Sequence, residues 1–516
     1  MTSSTSEAIT RVLLWGLLCV VVIGGGASMG VASCIVAGSA LKWVVVFLAA
    51  LGLLAAIVFV KDRRRLALGL FAFCIPIFMA KRIYSTEYPM LTGGPSSLGL
   101  FLYDIPFILL LAAFLRDHVI LRRRPTHIPA VLISFALYAF WCGLSIANSS
   151  NVPLSVIELM WVGKLALVVL ILANVIRDRN DLTFVLVILI GGLFFQEMAT
   201  FAQKFFNVWF TVSGDMQETT MQAADSAEVF RAGGLVGPHN VQSAYYVLLI
   251  PLAFSLFLEA ENLPIRVALF CTVGLGGVAV LFTYSRNGYL GLFVALAFTA
   301  VFAWLAGIFK KGDVLKLGLA GAWLGILVLL LFGKGLMDRV TSMESVILRF
   351  ETDRIALNMV KNHPVLGVGL NNFAIVMADN DYAPTGVSDM QQTFFGGDLI
   401  STVVHNRFLL AASETGLVGL FFYLLLVVGA LAASADLMRL PDKLLRAIGV
   451  GLTAAFIGAA VQMLFDIYNS DLLVTIYWSL VGVALAARRI ADEESGMAPG
   501  GFESPATGAI SASSVS

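Results

Sequence analysis

Charge is what this sequence has least of. Only 13% of its 516 residues are Asp, Glu, Lys or Arg, and 33 basic side chains balance 33 acidic ones to a formal net charge of zero. A chain without basic excess gives bulk electrostatics nothing to hold nucleic acid with, so no nucleic-acid partner is implied. Cysteine is scarce too: Cys19, Cys34, Cys74, Cys142 and Cys271 lie in or beside apolar runs. They have no metal-ligand spacing and no pairing in loops, and read as small core residues. No glycine-rich loop that would cradle a nucleotide is present. The acids Asp379 and Asp381 flank Asn380, but without an EF-hand pattern they read as a solvated loop, and no metal or cofactor is expected.

Long apolar runs are what the chain has in plenty. It is 59% hydrophobic, with a mean hydropathy of +0.90, far from a soluble balance. Candidate spans fall at 12–38, 43–60, 66–80, 98–115, 128–146, 153–176, 183–207, 239–260, 265–283, 287–309, 316–333, 405–433, 446–465 and 471–487. Each of these about fourteen (12–14) runs suits a bilayer crossing. Lipid offers no partner to unpaired backbone groups, so the expected fold is an all-α, polytopic bundle of transmembrane helices. The first run is long and a second follows at once, so it reads as a retained span rather than a signal peptide. Residues 491–516, rich in Gly, Ser, Ala and Pro, read as a disordered tail.

Basic clusters at 61–65, 116–124, 177–181, 310–316, 436–446 and 488–489 fall on one side of such a bundle. The positive-inside rule puts them and both termini in the cytoplasm. Outside then lie the loop 208–238, the junction at Ser285–Arg286, the loop 334–404 and the start of the span at His405. The loop 334–404 is far longer than a connection needs, which points to function.

That external face carries a polar constellation. His405 opens the stretch HNRFLLAASETGLVGL; an imidazole there takes up or releases a proton near neutral pH, and an ionisable group where a span begins is costly. Arg286, in TYSRNGYLGL, sits at the interface, where a guanidinium either snorkels to headgroups or matches phosphate oxygens. Arg231 opens RAGGLVGPHN, in which Asn240 starts the next span; its glycines allow close backbone approach to a ligand or a flexible re-entry. The long loop begins with an amphipathic helical pattern through Val346, Ile347, Phe350, Met359 and Val360. On that helix Arg349 and Arg354 diverge by roughly 140°. Arg354 has Asp353 and Glu351 for a surface ion pair, so Arg349 is the stronger candidate. Gly367 and Gly369 mark a tight turn or a close backbone contact. One imidazole with several guanidiniums can deprotonate a hydroxyl and hold a diphosphate leaving group, which is glycosyl transfer from a lipid-diphosphate donor.

From Arg231 to His405 the chain resembles the bacterial O-antigen ligase and polymerase superfamily. The matching pieces are RAGGLVGPHN, TYSRNGYLGL, Arg349 with KNHPVLGVGLNNF after it, and HNRFLLAASETGLVGL. The last has the signature of His, then Asn, Ser or Gln, nine residues, Gly, two residues and Gly. The resemblance spans roughly 181–490, with 1–180 as preceding N-terminal helices. It implies a GT-C-like fold, an inner-membrane location and a metal-independent enzyme whose site faces the periplasm. It also implies an undecaprenyl-diphosphate-linked glycan as donor, and lipid A-core or a growing glycan as acceptor. By that resemblance His405 is the base and Arg286 and Arg349 hold the diphosphate, with Arg231, Asn240, Arg354 and Asn406 as further substrate-binding candidates. A polymerase, of O-antigen, exopolysaccharide or capsule, would also be expected to meet a chain-length regulator. The family often has an aromatic residue where this chain has Asp353. The rival from another class is a lipid-linked glycan transporter or flippase, which would place its ionisable groups within the spans. Lys164, Glu197, Lys204 and Glu414 are in or near spans; Lys164 is expected to snorkel or pair with Glu158, and Glu414 to bond a neighbouring span.

Overall fold

A computed structural model describes residues 62–86, 93–206, 231–308, 344–378, 382 and 403–496. The expected spans 12–38, 43–60 and 316–333, most of the loop 208–238, the acids at 379–381 and residues 497–516 of the tail lie outside the described residues; 491–494, expected to be disordered, are the end of a helix that runs to Glu494. In chain order the helices are α1 (Arg63–Cys74), α2 (Asp104–Phe114), α3 (Val131–Ser145), α4 (Val152–Val175), α5 (Arg179–Phe206), α6 (His239–Glu259) and α7 (Leu263–Phe282). They continue with α8 (Arg286–Leu305), α9 (Glu344–Asn362), α10 (Phe373–Ala378), α11 (Arg407–Ala435), α12 (Lys443–Met463) and α13 (Asp471–Glu494). Nine of the described helices, α3 to α8 and α11 to α13, are long and apolar enough to cross a membrane. The protein is thus an all-α, multi-pass membrane protein.

The remaining two expected spans, 66–80 and 98–115, are not continuous helices. Strands β1 (Ala80–Ser85) and β2 (Ser97–Phe101) interrupt them as an antiparallel hairpin, with Ala80 opposite Phe101 and Ser85 opposite Ser97. The 12 residues of α1 reach only about 18 Å, short of a hydrocarbon core of about 30 Å. Hydropathy marks the apolar runs on either side but not the hairpin, because β1 carries Lys81, Arg82 and Ser85 and lies almost wholly outside the expected spans.

Helix starts follow local chemistry. Side chains of Asp62, Asn151, Asn262 and Asp442 each accept a backbone N–H in the first turn of their helices, and prolines stand at the beginnings of α4 and α7. The interior is one large apolar cluster in which α6, α8 and α12 pack together, α13 lies on α4 and α11 on α3. Of the cysteines described, Cys142 is buried in this core, whereas Cys271 faces outward.

Basic clusters within the described residues meet at one end of the bundle. Arg64 pairs with Asp181 at 2.5 Å, Arg177 with Asp117, Arg179 with Asp442 at 2.6 Å and Glu494 at 2.7 Å, and Arg446 with Glu259 at 2.5 Å. At the helix ends opposite these lie Arg231, Asn240, Arg286, His405 and Asn406, while Arg349 and Arg354 are within α9.

A second, smaller apolar core sits at that far end. It is formed by Ile355, Ala356 and Met359 of α9 with Val368, Phe373, Met377, Val403, Val404 and Leu410. The buried face of α9 therefore differs from the expected one, since Phe350 is 69% exposed.

Candidate active site

The stretch from His405 to Gly419 is a helix start followed by a break. The Asn406 side-chain oxygen accepts the N–H groups of Phe408 (3.0 Å) and Leu409 (3.1 Å), so Asn406 is the N-cap of α11. Further on, Gly416 takes φ 73°, ψ 179°, a conformation open essentially to glycine alone. The loop after α9 docks into the break. Val368 N–H donates to Ser413 O (2.9 Å), Gly369 N–H to Glu414 O (3.0 Å) and Leu417 N–H to Pro364 O (2.8 Å). From α3, the Ser145 hydroxyl donates to Glu414 O at 2.8 Å and the Trp141 indole to Thr415 O at 2.9 Å. A break within a span frees backbone groups that lipid cannot satisfy, and the loop supplies their partners. The approach leaves no room for a side chain: a Cβ on Gly416 would lie 2.0 Å from Val365 O, and one on Gly367 2.3 Å from the Glu414 carbonyl carbon.

Buried charges fasten the same junction. Glu414 accepts Phe373 N–H at 3.2 Å, so it bonds the docked loop rather than a neighbouring span. Arg407, which the sequence pattern did not single out, is buried with its guanidinium 3.8 Å from Glu158 and 5.2 Å from the centre of the Tyr423 ring. Glu158 is therefore not the partner of Lys164, which pairs instead with Asp104 at 2.7 Å. Arg407 also borders a cavity of about 40 Å³ rimmed by Tyr138, Trp161, Tyr468 and Tyr477.

His405 sits just before this helix, half-buried. Its Nδ1 lies 3.0 Å from the Val403 carbonyl oxygen. A carbonyl only accepts, so in the neutral ring Nδ1 carries the proton and Nε2 is the basic nitrogen. Burial holds the imidazole below its ordinary pKa; Asp466 opposes that effect, Arg349 adds to it, and the Val403 carbonyl opposes it. Arg349, on α9, is thus an electrostatic neighbour of His405. Burial raises the Asp353 carboxyl one turn further on, against the pull of Arg349. Arg354 is exposed, and among the described residues it makes no ion pair with Glu351 or Asp353. Asp466, in the turn between α12 and α13, was missed by sequence reasoning. The available signal was a lone carboxylate in a short external turn, which is weak by itself.

The other arginines gather at a second turn. Arg231 donates through Nε to Thr283 O (3.2 Å) and through a terminal nitrogen to Tyr284 O (3.1 Å). Asn240 accepts the Ser285 hydroxyl at 3.0 Å. Ser285 caps α8, whose first residue is the half-buried Arg286. Tyr284 holds a left-handed φ of 49°, uncommon for a bulky residue and a hallmark of functional turns. The glycines after Arg231 do not offer their amides outward: Gly233 and Gly234 N–H both donate to Gln203 Oε1, at 3.1 and 2.8 Å. Next to Arg286, the Asn287 amide donates to Gln462 O at 3.1 Å, just before the turn bearing Asp466. The fold thus gathers Arg231, Asn240 and Arg286 at one turn and His405, Arg349 and Asp466 at another, with α12 between them. Asn406 serves as a cap, and Arg354 points away.

Among the described residues no group of three or more His, Cys, Asp or Glu side chains is placed to hold a metal ion. The sequence model of one family, O-antigen ligase, matches residues 271–424, from α7 into α11. That match supports placing the chain in the O-antigen ligase and polymerase superfamily, and with it a glycan ligase or polymerase activity in broad terms. Substrates of the general kind follow: a lipid-linked glycan and an acceptor. No curated protein matches the chain.

Proposed function

We propose that this protein moves a glycan from undecaprenyl diphosphate to an acceptor hydroxyl on the periplasmic face of the inner membrane. His405 Nε2 removes the proton from the acceptor hydroxyl, whose oxygen attacks the anomeric carbon. The bond from that carbon to the diphosphate breaks, and the diphosphate leaves with the negative charge. Arg286 and Arg349 hold the leaving diphosphate, with Arg231 and Asn240 supporting the turn that carries Arg286. A single displacement inverts the anomeric configuration. The observation that carries this reading is the His405 ring, pinned through Nδ1 by Val403 O and left with a basic Nε2 beside Arg349 and Asp466. The acceptor is lipid A-core for a ligase and the growing glycan for a polymerase.

The test is purified protein in lipid, given a lipid-linked glycan and each acceptor in turn, as wild type and His405→Ala. Product on lipid A-core marks a ligase and lengthened lipid-linked glycan a polymerase, and His405→Ala should abolish either. A fully active His405→Ala protein would remove the base from the scheme. The transporter alternative draws on Glu197, buried in α5 and without a hydrogen-bond partner on either carboxyl oxygen. It stands if no product forms and the lipid-linked glycan crosses the bilayer.

A further inference from the structure

Lys204 belongs to the arginine turn. In the sequence it falls inside an apolar run, where it reads as a group within the membrane. In the structure it is near the last residue of α5, at the same end of the bundle as Arg231 and Arg286. Its ammonium lies 5.2 Å from the centre of the Tyr284 ring and 5.9 Å from that of Phe282. These rings flank Thr283, and the Thr283 and Tyr284 carbonyls are the ones that hold Arg231. The neighbouring Gln203 fixes the glycines that follow Arg231. Three cations from three separate chain segments therefore converge on residues 282–286.

Lys204 is half-buried, and among the described residues no carboxylate answers it; it has ring faces instead. A ring face attracts a cation without giving its N–H groups a full acceptor. The flanking surface is apolar: Phe201, Phe205 and Phe282 contact one another, and Phe205 and Phe206 are 62% and 77% exposed. A cation next to exposed aromatic rings at the end of a span matches an amphiphile with an anionic head and an apolar tail.

We infer that Lys204 binds the diphosphate of the lipid-linked donor, with the aromatic collar against the first isoprenoid units. This rests on the transferase reading above and adds a binding residue to it. The experiment measures undecaprenyl diphosphate, without sugar, binding to the protein in zwitterionic nanodiscs, alongside donor and acceptor KM. Lys204→Met should weaken that binding and raise donor KM about tenfold, the loss of one charge-assisted contact. Acceptor KM and the unfolding temperature should stay put, and Lys204→Arg should restore donor affinity. Binding within twofold of wild type in Lys204→Met overturns the inference. So does a loss that Lys204→Arg fails to repair, which would assign Lys204 to packing on Tyr284. A loss seen only when anionic phospholipid is added assigns it to bulk headgroups and overturns the inference as well. If the wild type turns over no donor, the transferase reading fails while the binding measurement still decides Lys204.

Discussion

Gly416→Ala strikes at the junction that sets His405 against its neighbours. At φ 73°, ψ 179° a residue with a Cβ carries about 1–3 kcal/mol of backbone strain. The new methyl would also lie 2.0 Å from Val365 O and 2.3 Å from its carbonyl carbon. Those atoms are backbone and cannot swing aside, so the docked loop must back away. Retreat stretches the bonds from Val368 to Ser413, Gly369 to Glu414 and Leu417 to Pro364, each worth about 1 kcal/mol when buried. The combined loss is at least ~3 kcal/mol, or about two orders of magnitude in the folding equilibrium. Thermal unfolding of purified protein in nanodiscs measures it, with Gly277→Ala as control. A Cβ at Gly277 meets nothing within 4 Å, so that change should be neutral or stabilising by up to about 1 kcal/mol. Transfer should fall with stability in Gly416→Ala, because the loop joins α9, which carries Arg349, to α11, which His405 precedes. If Gly416→Ala unfolds within ~0.5 kcal/mol of wild type, the account of the break is wrong.

Two further outcomes follow from the same geometry. His405 must be neutral to act as base, and burial holds its pKa below the ordinary 6.5; the neutral form therefore persists as pH falls through 6.5, and the acid limb of kcat/KM should lie beneath it. Arg349→Met should move that limb up and Asp466→Asn should move it down, and a pH–rate profile with either shift reversed refutes the electrostatic assignment. Asn406→Ala should cost about 0.5–2 kcal/mol of stability as a lost helix cap, with Asn406→Asp or Asn406→Ser restoring it. Unchanged stability with raised donor or acceptor KM would return Asn406 to the substrate-binding set.

The membrane class and the gathering of basic clusters at one end were legible in the chain because both depend on quantities that add along it. Apolar length decides what crosses a bilayer, and the spacing of basic clusters decides which ends meet; the ion pairs of Arg64, Arg179 and Arg446 with distant acids bear this out. The tight turn or close contact at Gly367 and Gly369 was legible as well; both take a positive φ, which few other residues adopt. The hairpin at 80–101 was not, because β1 carries Lys81 and Arg82 and is exposed along most of its length, with neither an apolar run nor an alternation to mark it.

Partnership was the other thing hidden. Arg407 reads as a polar residue after a motif, and only when α4 lies beside α11 does it meet Glu158. Glu414 has an obvious cost and no visible purpose until the loop 364–373 arrives to be bonded. Asp466 becomes a neighbour of His405 only through the packing of α12 and α13 against α11. Lys204 changes from a charge in or near a span to one at the arginine turn once the far end of α5 is placed. By itself the sequence determined that the chain crosses the membrane many times, since hydrophobicity belongs to residues singly. Which imidazole nitrogen is free, which arginine is near it and which carboxylate is merely a tie were decided by the tertiary structure, because those depend on distances between segments far apart in the chain.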